Sequence, residues 1–214
     1  MKKALTIGLA FALVATAGVL MAQDHPEHPK KKDPAKKTET QKPEHPSEHP
    51  NEHPDSPPMP IPTEEHAWLN KLVGEWEYTG SFTMGEESQP LVGTESARSL
   101  GGWWLIAEIV STDQLMPFTG ISTLGYDATK GQYFGTWVMS MDGTMMHYTG
   151  KVENDGKTLT LNTKGPNMET GEGEVNMKDV YTIVDADHKT LTSFFQNPDG
   201  SWTQMMTLTY TRKK

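Results

Sequence analysis

The chain has 214 residues, no cysteine, 19 Lys and Arg against 28 Asp and Glu, and a formal net charge of −9 at neutral pH. Without cysteine there is neither a disulfide staple nor the lipid-bearing residue of a lipoprotein, and the acidic balance argues against nucleic acid or an anionic membrane face as a partner, since both need clustered Lys and Arg. Neutral, cationic or apolar partners fit such a surface better.

Met1-Lys2-Lys3 is a short basic start, Ala4 to Met21 is an almost unbroken apolar run, and Leu20-Met21-Ala22 offers a small-residue cleavage site before Gln23-Asp24. This pattern predicts a signal peptide over residues 1–22, and so a protein exported to a periplasm or outside the cell, with no transmembrane segment after processing. The competing reading is a membrane anchor, because the run is nearly long enough to span a bilayer.

Residues 23–62 hold 11 of the 15 prolines and five of the eight histidines, with almost no large apolar side chain. Such a stretch cannot bury enough surface to offset its ordering entropy, so a disordered or polyproline-like linker is predicted. Within it Glu44-His45-Pro46, Glu48-His49-Pro50 and Glu52-His53-Pro54 recur at a four-residue period. A polyproline II helix rises about 3.1 Å per residue, which sets histidines four apart at roughly 12 Å on different faces. One zinc ion needs its nitrogen ligands about 2.0–2.1 Å away, so consecutive histidines do not share an ion, and no metal site is assigned.

From Thr63 to Lys214 the composition becomes that of a folded domain. Thr63 is a suitable N-cap, Glu64 and Glu65 suit a first helical turn, and Gly74 ends a short helix. Trp76, Tyr78, Gly80, Phe82 and Met84 then alternate with polar residues, the period of a strand with one buried face. Further strands are predicted at 91–99, 103–112, 119–126, 133–141, 145–153, 158–163, 175–184, 190–196 and 202–211. Turn chemistry separates them, as at Asp142-Gly143, Asn154-Asp155-Gly156 and Asn197-Pro198-Asp199-Gly200. A meander of this length hides its edges by closing on itself. The fold class is therefore all-β: one antiparallel up-and-down barrel of about eight to ten strands, preceded by a short helix.

Gly74-Glu75-Trp76 on the first strand together with Arg212 on the last resembles the lipocalin and fatty-acid-binding-protein superfamily, the calycins. That resemblance implies an arginine packed across the tryptophan at a closed barrel end, and so a structural role for Gly74, Trp76 and Arg212. Leu72 to Trp76, Arg98-Ser99-Leu100-Gly101-Gly102, Gly125-Tyr126-Asp127, Gly135-Thr136-Trp137 with Met141, and the stretch from Met205 to Arg212 are more closely similar to the lipocalin-like family of unknown function DUF1579, over about residues 63–214. It implies an exported barrel and brings no established activity, catalytic residue or cofactor.

A lipocalin-like binder would line its lumen with apolar and aromatic side chains and a few polar groups. Strand alternation nominates Trp104, Glu108, Trp137, Met139, Tyr181 and Gln204 as inward ligand contacts, with the alternative that such residues simply fill a dry core. Glu108 and Asp179 are the carboxylates in phase with large apolar neighbours, hence candidate anchors or acid/base groups. His147 is the histidine central to a folded strand and completes the ligand-contact set. It also carries a haem alternative, with Met139, Met141, Met145 and Met146 as pocket lining. His66 and His188 are expected to be solvated. No nucleophile elbow, zinc-protease motif or phosphate loop is present, so no catalytic residue is assigned. The leading expectation is a binder of a small apolar or amphipathic molecule. The alternatives are a solid barrel tethered by its tail, and a haem-binding or acid/base enzyme barrel.

Overall fold

In the computed structural model residues 59–214 are described, apart from 115, 169 and 171 and the side chain of Met84. The expected signal peptide and nearly all of the expected linker lie outside the described residues. Thr63 leads into α1 (Glu64–Trp68), which tightens into a 3₁₀ turn (Leu69–Lys71). The Thr63 backbone N–H donates to His66 Nδ1 at 3.1 Å, satisfying one group at the helix start. The strands are β1 (Gly74–Met84), β2 (Glu87–Leu100), β3 (Trp104–Ser111), β4 (Thr119–Asp127), β5 (Gln132–Met139), β6 (Met146–Val152), β7 (Thr158–Pro166), β8 (Glu174–Ile183), β9 (His188–Gln196) and β10 (Trp202–Arg212).

Each strand pairs antiparallel with its chain neighbours, and β1 also pairs with β10, so the meander is a closed ten-stranded barrel without an edge. Among the described residues no helix is long and apolar enough to cross a membrane.

One end of the ring is sealed. There α1 and the turn after it lie against the loops 101–103 and 153–157, at the end where the hairpin loops 128–131 and 184–187 also turn. Trp68 Nε1 donates to the Gly156 carbonyl at 2.8 Å, and the Tyr133 hydroxyl donates to the Glu65 carbonyl at 2.9 Å. Leu69 and Leu72 are buried beneath the cover, a burial that contributes about 1.5–3 kcal/mol for each side chain. At the other end the rim consists of the β1–β2 turn and the loops 112–118, 140–145, 167–173 and 197–201. The closed end is thus the one carrying Gly74 and Arg212, and the open end carries the loops.

Candidate functional site

At the sealed end Trp76 is 1 % exposed, and its indole N–H donates to the Leu72 carbonyl at 3.0 Å. The guanidinium carbon of Arg212 stands 4.0 Å from the centroid of that ring, while Arg212 Nη1 donates to the Val73 carbonyl at 2.8 Å. Gly74 has φ +143°, and a Cβ at this position would occupy the space of the Arg212 guanidinium. The glycine of Gly-x-Trp is therefore required by the arginine's approach.

Sequence reasoning missed the group beneath this stack. Lys189, one residue before the strand expected at 190–196, is the second residue of β9 and is 0 % exposed. Its ammonium donates to Glu95 Oε1 at 2.5 Å and to the Leu72 carbonyl at 3.3 Å, and lies 4.3 Å from the Trp76 ring centroid. Burial pulls the lysine's pKa below its ordinary value, against the opposing attraction of Glu95. The pair carries no net charge when both groups are ionised.

Further along the lumen β7, β8 and β9 place Leu161, Asp179 and Ser193 level with one another, all facing inward. The Asp179 carboxylate accepts from the Ser193 hydroxyl at 2.5 Å and from the Tyr148 hydroxyl at 2.8 Å. Desolvation raises its pKa, and the two hydrogen bonds work against that rise. Among the described residues no Lys, Arg or His forms an ion pair with it. Asp179 and Tyr181 are enclosed by protein, yet both keep intermediate surface accessible to a water-sized sphere. Beside them Tyr210 is 0 % exposed, and among the described residues its hydroxyl has no hydrogen-bond partner.

Towards the open end the inner wall becomes apolar. Trp137 and Met139 face inward opposite Ser122 and Gly120, and the Trp137 ring lies over Gly120, in space that a Cβ would fill. At the rim a cavity of about 30 Å³ opens among Phe82, Met168, Met177, Phe195 and Met205. It has room for about one water, but methionine side chains adapt their shape to what they contact.

Of the seven expected ligand contacts, Trp137, Met139 and Tyr181 thus face the lumen. Trp104, Glu108, His147 and Gln204 face outward. On β3 it is Leu105, Ala107 and Ile109 that point in, each at most 6 % exposed. Both faces of β3 carry large apolar residues, so alternation alone gave the wrong phase. Trp104 is accommodated outside because its ring lies against Gly125 and edge-on to Phe134, at 5.2 Å between centroids. On β10 a bulge between Gln204 and Met206 reverses the phase, leaving Gln204 opposite Phe194 on the outer wall and Met206 inside. His147 pairs with Thr136 on the outer face and is exposed, so it is not placed to ligate a haem held in the lumen. His66 also departs from expectation, being 4 % exposed and edge-on to Trp103 at 4.8 Å. Trp104 and His147 instead border an open depression of about 490 Å³ on the outside of the barrel, together with Thr123, Thr136 and Phe134.

The architecture is that of a closed, ten-stranded antiparallel barrel with one covered end. The chain belongs to the family described as "Protein of unknown function (DUF1579)", whose model matches residues 61–212. No curated protein matches it. Among solved structures it is similar to Rv2717c from M. tuberculosis, at 13% identity and a TM-score of 0.54, over 72% of this chain and 100% of that one. A redesigned β-barrel, mFAP1, bound to DFHBI, is similar at 18% identity and a TM-score of 0.36, over 67% of this chain and 97% of that one. The first of these likenesses supports the fold alone.

Proposed function

We propose that this protein is an exported barrel that binds one small apolar or amphipathic molecule, admitted through the open end and held between Trp137, Met139 and Tyr181. The observation that carries this reading is the accessible surface of Asp179 and Tyr181 inside a closed wall. Such surface on central inward residues supports a lumen with room for a ligand over a solid core. The graded lining, polar in the middle and apolar at the rim, suits a molecule with one polar end. Because the rim cavity is only about 30 Å³, entry requires the methionines there to move aside. Export rests on the basic and apolar N-terminus.

The test is displacement of a fluorescent apolar probe, with native mass spectrometry of the full chain to detect a retained compound. Trp137→Ala is expected to weaken binding, whereas Trp104→Ala, on the outer wall, leaves it unchanged. Absence of any occupiable site would favour the solid, tethered barrel instead. Weakening by Trp104→Ala alone would move the site to the outer depression.

A further inference from the structure

We propose that the lumen selects a molecule with a cationic head, an amine or quaternary ammonium on a short apolar body, with Asp179 as its counter-charge. This rests on the reading of the barrel as a binding protein and adds the class of ligand.

The charges inside the barrel set the preference. Lys189 is engaged by Glu95 at 2.5 Å, and Arg212 is engaged by the Val73 and Ala186 carbonyls over Trp76. Among the described residues neither inward cation is free to receive an anionic head. Asp179 is different, because its hydrogen-bond donors among the described residues are the neutral hydroxyls of Ser193 and Tyr148. A carboxylate has about four acceptor positions, so each oxygen keeps capacity for another donor. Its desolvation is uncompensated by any opposite charge, a condition that a bound cation would relieve.

The surroundings fit the same head group. Tyr148 and Tyr181 lie next to the carboxylate, and an ammonium ion is attracted to aromatic faces as well as to negative charge. Burial raises the Asp179 pKa, and a cation beside the carboxylate would oppose that shift. Trp137 and the rim methionines are left to cover the apolar body. The acidic surface of the whole chain, at −9, also favours the approach of cations.

The experiment is calorimetric titration of the full chain with three decyl amphiphiles below their aggregation limits, carrying trimethylammonium, glucoside or sulfate heads. Enough salt is added to screen surface charge. The expected result is one-to-one binding in which the trimethylammonium compound is tighter than the glucoside by about tenfold, as for a charge-assisted contact, with the sulfate weakest. Asp179→Asn should abolish this preference while keeping affinity for the glucoside. Glu108→Gln, an outward carboxylate, should leave the preference intact. Equal binding of the three heads, or a preference surviving in Asp179→Asn, overturns the proposal while leaving the binding reading in place. Binding of none of them overturns both. If Asp179→Asn does not fold, the unaltered protein decides the matter: the trimethylammonium preference must shrink as the pH is lowered towards the ordinary carboxyl pKa of about 3.9, where a protonated Asp179 offers no counter-charge, and a preference that pH leaves unchanged rejects the idea.

Discussion

Lys189 and Glu95 stand 94 positions apart in the chain and meet at 2.5 Å under the indole of Trp76, with both side chains almost fully shielded from water. The sealed end of this barrel is therefore built on an ion pair as well as on apolar packing. A buried pair of this kind contributes little as a pair, but either charge left alone is expensive.

Glu95→Gln and Lys189→Met should each destabilise the barrel by about 3–5 kcal/mol, because each strands the other charge. The double variant should recover much of that loss. Urea unfolding of the four proteins as a double-mutant cycle measures the coupling, and simple additivity of the two losses would contradict the structure.

Trp76→Ala should cost on the order of 3–5 kcal/mol, the usual penalty for deleting a buried aromatic side chain. Replacement of Arg212 by methionine should cost less, roughly 0.5–2 kcal/mol for the stacking contact. Both effects should appear in thermal unfolding, while the folded fraction still binds ligand. A well-folded Trp76→Ala protein that had lost only binding would place the site at the wrong end.

Tyr210→Phe should be neutral or stabilising. The hydroxyl is buried without a partner among the described residues, and an unsatisfied buried polar group costs about 1–3 kcal/mol. Chemical denaturation is the check. A clear loss of stability on removing this oxygen would mean that it is bonded after all.

Asp179 makes stability depend on pH in a direction opposite to that of a salt-bridged carboxylate. Its folded pKa is raised by burial, so the folded state holds the proton at pH values where the unfolded chain, with a carboxyl pKa of about 3.9, has released it. Between those two values the folded state binds more protons, and stability falls as pH rises through the window. Asp179→Asn removes this term. The unfolding free energy of the variant minus that of the original protein should therefore increase from about pH 4 upward and level off above the folded pKa of Asp179. A difference that does not change with pH would show that the carboxyl is unperturbed.

The architecture was readable in the chain because β1 announces its inner face with Trp76 and Tyr78 against glutamates, and because Asp-Gly and Asn-Pro-Asp-Gly turns divide the rest. Facing was harder to read. On β3, Trp104 and Ile106 look as much like core as Leu105 and Ala107, so a period of two gives no direction. On β10 a single extra residue near Met205 turns Trp202 and Gln204 outward, and nothing local marks it. Glu95 had a usable signal, since it shares parity with Leu91 and Ala97, but the small inner residues of β2 hide the stripe. Lys189 was masked by its neighbours, for Asp185 to His188 read as a turn and the lysine looked like part of it. Asp179 was recognisable as an inward carboxylate because Met177 and Tyr181 bracket it, whereas its donors Tyr148 and Ser193 come from strands whose neighbourhood only folding reveals.

The register that sets Trp76 opposite Arg212 also fixes where the ring is fastened. A ten-stranded meander can be opened at one seam without cutting the chain, and that seam has Trp76 and Arg212 as its last pair. The Lys213 N–H still bonds the Glu75 carbonyl at 2.8 Å, beyond the last strand residue. Arg212 and Lys213 therefore act as a clasp: losing them would remove the stacked guanidinium and the last rungs together, and the β1–β10 seam would begin to fray from the sealed end.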